Sequence, residues 1–99
     1  MTFEEHVQHA LDALPEELAR RLRNVAVVVE DENPEEPDLY GLFDLPEFLP
    51  AKVTIYRLPL EADFPEPERL EHEIRVTVLH ELAHYFGIDE DRLAELGYA

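Results

Sequence analysis

The alternation of apolar and polar positions predicts helices in the first part of the chain. From Phe3 to Leu14, apolar residues recur every three or four positions, which is the spacing of a helix with one buried face. Thr2 followed by Glu5 forms a capping-box pattern that starts this helix. Pro15 then opens a shorter helix over residues 16–22, whose acidic start and arginine-rich end complement the helix dipole.

Two shorter runs predict β-strands. Residues 24–30 contain Val-Ala-Val-Val-Val between polar residues, which predicts a buried strand. Residues 51–58 alternate and predict a second strand that ends at Pro59, followed by a linker over residues 61–64. Between the two strands, residues 31–38 are acidic and broken by proline, as in a surface loop. Residues 39–49 are apolar but irregular, which favours a loop packed over the core.

The longest helical pattern begins at Pro65 or Pro67 and ends at Phe86. From Val76 onward it is apolar almost all round, which predicts a buried helix. Gly87 is typical of the residue that ends a helix. Asp89 is then placed as an N-cap, and residues 90–96 predict a last short helix. These elements predict an α+β fold with residues 1–99 forming one domain.

Three polar residues interrupt the apolar pattern of the long helix. His80, Glu81 and His84 form His-Glu-x-x-His, in which the two histidines lie one helical turn apart and project side by side. Two imidazoles so placed can share one tetrahedral zinc ion. Glu81 lies about 100° further round the helix, where it can act on a water at the metal without being a ligand. Because polar groups on a buried helix need partners, this pattern favours a zinc site over two solvated histidines.

Composition narrows the chemistry. The net charge of −16 argues against binding to nucleic acid or to anionic membranes, since both depend on Lys and Arg, and it would attract cations and basic peptides. The chain has no cysteine and no serine, which leaves metal-activated water as the natural hydrolytic chemistry. No secretion signal or membrane-length apolar run is recognisable, which predicts a cytoplasmic protein.

Residues 80–90 have the form HExxHxxGxxE and resemble the zincin metallopeptidases. More closely, residues 53–97 are similar to a family of very small bacterial zincin-like proteins. The resemblance implies a minimal zincin-like fold, in which a small sheet accompanies a long active-site helix and a short C-terminal helix. It also implies zinc as the cofactor, His80 and His84 as zinc ligands, and Glu81 as the general base.

The resemblance leaves the third ligand open. Glu90 stands where metzincins place that ligand, and Asp89 and Asp91 are close rivals. Glu90 is equally well explained as an acid in the first turn of the last helix, where the dipole favours it.

The resulting functional hypothesis is a zinc metallopeptidase that hydrolyses peptide bonds with Glu81 as general base. The alternative is a catalytically silent zincin-like module that binds a metal or a peptide, which the small size of the chain favours. The expected partner is a peptide or protein substrate, with a preference for basic ones, and the oligomeric state is open. Zincins hold their substrate along an edge strand, and the strand over residues 51–58 is expected to take that part.

Other side chains suggest chemistry less strongly. Tyr56, Tyr85 and Tyr98 are candidates for stabilising the oxyanion, although a packed tyrosine is the simpler interpretation. His6 and His9 are three residues apart and could hold a metal, but an ordinary solvated pair is favoured. Glu71 and Arg75 are expected to form an exposed ion pair within the long helix.

Overall fold

The computed structural model describes residues 1–47 and 50–98. For His84 and Tyr85 it describes the backbone but not the side chains. Its elements confirm the α+β class: a small sheet packs against a long helix, and shorter helices surround both. In chain order they are α1 (Phe3–Asp12), α2 (Glu16–Ala19) with a 3-10 helix (Arg20–Leu22), β1 (Val25–Glu30), β2 (Gly41–Asp44), β3 (Ala51–Tyr56), α3 (Arg57–Asp63), α4 (Pro67–Phe86) and α5 (Glu90–Glu95).

The sheet has the strand order β1-β3-β2, so β3 is its central strand. β3 runs parallel to β1 and antiparallel to β2, with Val53 opposite both Val27 and Phe43. Val53 and Ile55 of β3 are fully buried. β1 is only half-buried because it lies at an edge, so the strand predicted there is confirmed but its complete burial is wrong.

The core lies between one face of the sheet and α4. α4 contributes Ile74, Val78, Leu79 and Leu82, all of them fully buried. α1 packs across α4 and adds the buried side chains of Phe3, Val7 and Ala10. Full burial of a large apolar side chain stabilises a fold by about 1.5–3 kcal/mol. One side of α4 is therefore held by the core, and His80 on the opposite side is exposed.

Local signals in the sequence fix the ends of these helices. The Thr2 and Glu5 side chains form the predicted capping box, with hydrogen bonds of 3.1 and 3.0 Å to each other's backbone N–H. Pro67 occupies the first position of α4, where its missing N–H costs nothing. α4 ends at Gly87, whose φ of 60° is in the left-handed region. Asp89 caps α5 by accepting from the N–H of Asp91 at 2.9 Å.

Two elements differ from the expectation. The segment expected to be a loop contains β2, a strand of four residues whose alternating burial from Gly41 to Asp44 arises from its pairing with β3. Phe48 and Leu49 of that segment lie outside the described residues. The strand expected over residues 51–58 ends at Tyr56, and α3 replaces the expected linker. Pro59 lies in the first turn of α3, where proline is compatible with a helix.

Two expectations about α1 and α4 are also wrong. Glu71 does not pair with Arg75; it accepts hydrogen bonds of 2.7 Å from Nδ1 of both His6 and His9. The side chains of His6 and Glu71 are each only 13% exposed, so His6 is not a solvated histidine. Arg75 instead reaches across to the carbonyl oxygen of Ala10 at 3.4 Å. These polar contacts fasten α1 to the helix that carries the candidate site.

Candidate metal site and active-site cleft

His80 lies on the side of α4 that faces away from the core, Glu81 lies between that side and the sheet, and both line one open cleft. The cleft has a volume of about 370 Å³. It lies between α4 and the start of β2, and the residues around it are Leu39, Tyr40, Gly41, Glu73, Val76, Thr77, His80 and Glu81. The predicted neighbourhood of the imidazole and the carboxylate is therefore present, at a place that solvent can reach.

The burial of His80 differs from the expectation. Leu79 before the motif and Leu82 within it are fully buried, but His80 is exposed and Glu81 is half-buried. The argument that burial of the helix requires a metal partner for His80 is therefore wrong. The exposure has a different consequence, because a metal at His80 could exchange its solvent ligand for a substrate.

The structure does not bring the remaining candidate ligands together with His80 among the described side chains. His84 lies on α4 one turn after His80, and its side chain is outside the described residues. Glu90 is the exposed first residue of α5. Of its rivals, Asp89 has its carboxylate engaged as the cap of α5. Among the side chains that the structure describes, no group of three His, Asp or Glu forms a metal site, so the predicted ligand set with His84 stays a prediction.

Gly41 determines how closely β2 approaches the site. A Cβ at this position would lie 2.6 Å from Cγ2 of Thr77 and 3.2 Å from the carbonyl oxygen of Thr54. It would also lie 3.9 Å from Cγ of Glu81. The missing side chain lets the strand pass directly over the helix turn that carries Glu81. The short strand that the sequence did not reveal is therefore the wall of the cleft.

The edge strand beside the site is β2, not the strand over residues 51–58. β3 is paired on both sides and offers no free edge to a substrate. The N–H of Tyr56 donates to the carbonyl oxygen of Tyr40 at 2.9 Å, which makes these two residues a hydrogen-bonded pair. Because such pairs alternate along antiparallel strands, the backbone groups of Gly41 and Phe43 point away from β3. No strand among residues 1–47 and 50–98 pairs with that side of β2.

Tyr40 is a cleft residue that the sequence analysis missed. Its hydroxyl donates to Asp63 at the end of α3, and this hydrogen bond is the main cause that raises the pKa of Tyr40 to about 12. Phe64 packs against its ring at 5.7 Å between centroids. Tyr40 therefore stays a neutral phenol over the whole working range of pH. Its proximity to α3 depends on tertiary structure, so no local sequence signal could have identified it.

The tyrosines named from the sequence have other surroundings. The hydroxyl of Tyr56 accepts a hydrogen bond of 3.0 Å from the Asn33 side chain, and its ring is buried. The Tyr98 ring stacks on His72 with 5.9 Å between centroids. Neither residue lines the cleft, so the interpretation as packed tyrosines is confirmed for both. The side chain of Tyr85 lies outside the described residues.

The charge of the cleft is negative. Glu73 and Glu81 contribute carboxylates, and the described residues that line the cleft include no lysine or arginine. Arg69, one helical turn before Glu73, binds the Glu73 carboxylate with an N···O distance of 2.9 Å, although Arg69 itself does not line the cleft. The hydroxyl of Thr77 donates to the backbone carbonyl of Glu73 at 2.8 Å, which keeps Thr77 turned toward its own helix.

The side chains at this site are of the types that bind zinc. Imidazole nitrogen and carboxylate oxygen are both ordinary zinc ligands. His80 presents an imidazole in an open cleft, and a second histidine follows one turn later on the same helix. Glu81 lies in the same cleft with its carboxylate not engaged by an arginine or lysine of the described residues.

The fold and this arrangement agree with the comparison to known families. The sequence profile of the zincin-like metallopeptidase family matches residues 22–98, which is most of the chain. The chain therefore belongs to the zincin-like metallopeptidase family, and a metallopeptidase-type function that involves zinc is consistent with that membership. No curated protein shows a significant match. No helix of the described residues is long and apolar enough to cross a membrane.

Proposed function

We propose that this protein is a zinc-dependent peptidase in which His80 and His84 hold the metal and Glu81 is the general base. Glu90 is proposed as the third protein ligand and Asp91 remains its rival, while Asp89 is already occupied as a helix cap. One observation carries the proposal: His80 and Glu81 share an open cleft whose wall is the start of an edge strand. A metal, a water molecule and an extended peptide could meet there.

The proposed mechanism assigns a different role in hydrolysis to each part of the site. When bound, zinc supplies Lewis-acid chemistry that polarises the peptide carbonyl and lowers the pKa of water. The carboxylate of Glu81 takes the proton from the attacking water and delivers it to the nitrogen of the departing amine. The outer edge of β2, which begins at Gly41, binds the substrate as an added strand, and this aligns the substrate carbonyl over the cleft.

The proposed substrate is a peptide with basic residues. Glu81 places one carboxylate in a cleft with no described lysine or arginine in its lining, and Glu73 adds a second one that Arg69 partly neutralises at 2.9 Å. The net charge of −16 adds a long-range field of the same sign. Such a field raises the rate at which cationic partners arrive, and salt weakens this effect.

The test is cleavage of a peptide library by the zinc-loaded protein, compared with Glu81→Gln. Loss of the general base is expected to lower kcat/KM by at least about 100-fold. Zinc content, measured on the dialysed proteins, is expected to stay the same. Glu68→Gln is the matched control, since Glu68 is an exposed carboxylate on the same helix outside the cleft. Equal activity of Glu81→Gln and the wild type would refute the assignment of the base.

A second candidate is a zincin-like module that binds peptides without cleaving them. The small cleft of about 370 Å³ and the four-residue edge strand favour it, because they leave little surface to hold a long substrate. Under this alternative, a basic peptide would bind to the wild type, and it would bind more weakly to Glu81→Gln because that variant removes a carboxylate from the cleft. No peptide of the library would be hydrolysed by either protein, even with zinc bound in stoichiometric amount.

A further inference from the structure

A second cleft, of about 550 Å³, lies on another part of the surface. The 3-10 helix and the end of α2 form one side of it, and the turn between α4 and α5 forms the other. Leu18 and Ile88, which are 3% and 9% exposed, form its floor. The cleft volume is in the range of about 300–1,000 Å³ that is usual for small-ligand sites.

Three arginines line this cleft. They are Arg20, Arg21 and Arg92, in a chain that has only eight Lys and Arg residues against 24 Asp and Glu. Arg20 and Arg21 come from a segment that precedes the part matched by the family, which begins at residue 22. The dipole of a short helix explains why arginines end that helix. It does not explain why they line the same cleft as Arg92, which comes from a distant part of the chain.

The three arginines differ in their partners. Arg92 is held by Glu17 at 2.6 Å and by Glu95 at 3.3 Å, so it closes one wall of the cleft as part of an ion-pair network. Arg20 and Arg21 are exposed, and neither makes a hydrogen bond or ion pair with a side chain that the structure describes. Two guanidinium groups are therefore available to a ligand.

We propose that this cleft binds a short acidic peptide, whose carboxylates pair with the guanidinium groups of Arg20 and Arg21. Guanidinium groups bind carboxylates through two parallel hydrogen bonds, which gives strength and orientation. The apolar floor and the volume suit a ligand of a few residues rather than a small inorganic anion. Gly87 leaves room for it, since a Cβ there would meet no atom within 4 Å.

The strongly negative net charge does not prevent this binding. Charges more than about 8 Å away are largely screened at physiological ionic strength, so the groups lining the cleft dominate. Those groups are three arginines against Glu17 and Asp89, and both carboxylates already have a partner within the protein. The site is separate from the cleft at His80, and the proposal does not depend on peptidase activity.

The test is a titration of the full chain with acetyl-Glu-Glu-amide, followed by backbone amide chemical shifts. Saturable shifts are expected at residues 17–21 and 87–92. The Arg20→Gln, Arg21→Gln double variant is expected to weaken binding at least tenfold. Arg23→Gln is the matched control, because Arg23 follows in the same segment but pairs with Glu16 outside the cleft. It should change binding less than twofold.

Each contrary outcome is distinct. Equal binding of acetyl-Gln-Gln-amide would show that the carboxylates do not matter and would overturn the proposal. If Arg23→Gln weakened peptide binding as much as the double variant does, the binding would be a general effect of positive charge, and the proposed site would be wrong. Inorganic phosphate that binds as tightly as the peptide and displaces it would overturn the assignment to peptides. Unchanged circular dichroism and melting temperature of the double variant are expected, since both side chains are exposed and unpaired.

Discussion

Gly41 and Thr77 touch so closely that no side chain fits between them. A Cβ on Gly41 would lie 2.6 Å from Cγ2 of Thr77, a distance that Cβ atoms in non-bonded contacts essentially never show. Thr77 is 9% exposed, and its hydroxyl is held by the carbonyl of Glu73 at 2.8 Å, so its methyl group cannot move away freely. This contact fixes the distance between the edge strand and the helix turn that carries Glu81.

Gly41→Ala is therefore expected to destabilise the protein by about 1–3 kcal/mol, the usual cost of overpacking. Thr77→Ser removes only the methyl group and keeps the hydroxyl that binds Glu73. In the double variant, most of the loss is expected to disappear, while the tight contact with the carbonyl of Thr54 at 3.2 Å remains. Urea unfolding of the four proteins measures this coupling. Additive losses in the double variant would show that the two residues do not meet as described.

The helices of this fold are predictable because their signals are local. Thr2 with Glu5, Pro67, Gly87 and Asp89 fix helix ends through neighbours in the sequence, and all of them act as expected. The edge strand β2 is not predictable in this way. It has only four residues and begins with a glycine, and it is regular because β3 lies beside it. Strand order is likewise a property of non-local pairing, so the sequence could not show that β3 is central.

The candidate site likewise has features that the sequence predicts and features that it does not. His80 and Glu81 are neighbours on one helix, so the sequence alone predicts that they share a site, and both do line the same cleft. The exposure of His80, the position of Tyr40 and the wall formed by Gly41 depend on how distant segments pack. The pairing of Glu71 with two histidines of α1 is of the same kind, because those residues are more than sixty positions away.

Stability should depend on the ionisation of Glu71. Hydrogen bonding to His6, and in second place to His9, holds the pKa of Glu71 below its ordinary value of 4.5, although burial opposes this. A carboxyl whose pKa is lowered by folding contributes stability above its ordinary pKa and loses it as pH falls through the lowered value. Glu71→Gln is therefore expected to cost about 1.5–3 kcal/mol at neutral pH. It should also flatten the fall in stability below about pH 4.5.

The measurement is chemical unfolding of the wild type and Glu71→Gln between pH 3 and pH 7. Glu68→Gln serves as the control, since Glu68 is exposed in the first turn of the same helix and makes no hydrogen bond or ion pair with a side chain that the structure describes. Its cost should be well under about 1 kcal/mol. Parallel pH profiles of the wild type and Glu71→Gln would contradict the role assigned to this carboxylate.

The contribution of Tyr40 to stability should change at alkaline pH. Its hydrogen bond to Asp63 raises the pKa of the phenol from 10.0 to about 12. A phenol whose pKa is raised by folding contributes stability below its ordinary pKa and loses it as pH rises toward the raised value. Tyr40→Phe is expected to cost about 1 kcal/mol at pH 8, and the difference from the wild type should shrink between pH 10 and pH 12. Phenolate absorbance should show a component near pH 12 that the variant lacks.

Metal binding should appear in the stability of the folded protein, whether or not it cleaves peptides. A ligand that binds only the native state stabilises it by about 2.7 kcal/mol at a concentration 100 times its Kd. For a protein of this size, that corresponds to a rise in melting temperature on the order of 10–20 °C. Zinc should raise the melting temperature of the wild type in this way, and a chelator should reverse the change. His80→Ala should remove the rise because it deletes a proposed ligand.

The control for zinc is His9→Ala. His9 lies on α1 and binds Glu71 at 2.7 Å, so its loss should lower the starting melting temperature but leave the zinc-induced rise intact. Magnesium prefers oxygen ligands and several bound waters, so it should not reproduce the effect of zinc at an imidazole site. An equal zinc-induced rise in His80→Ala and the wild type would mean that zinc binds elsewhere on this acidic surface. Because the melting temperature is measured without a substrate, it separates the metal site from the question of catalysis.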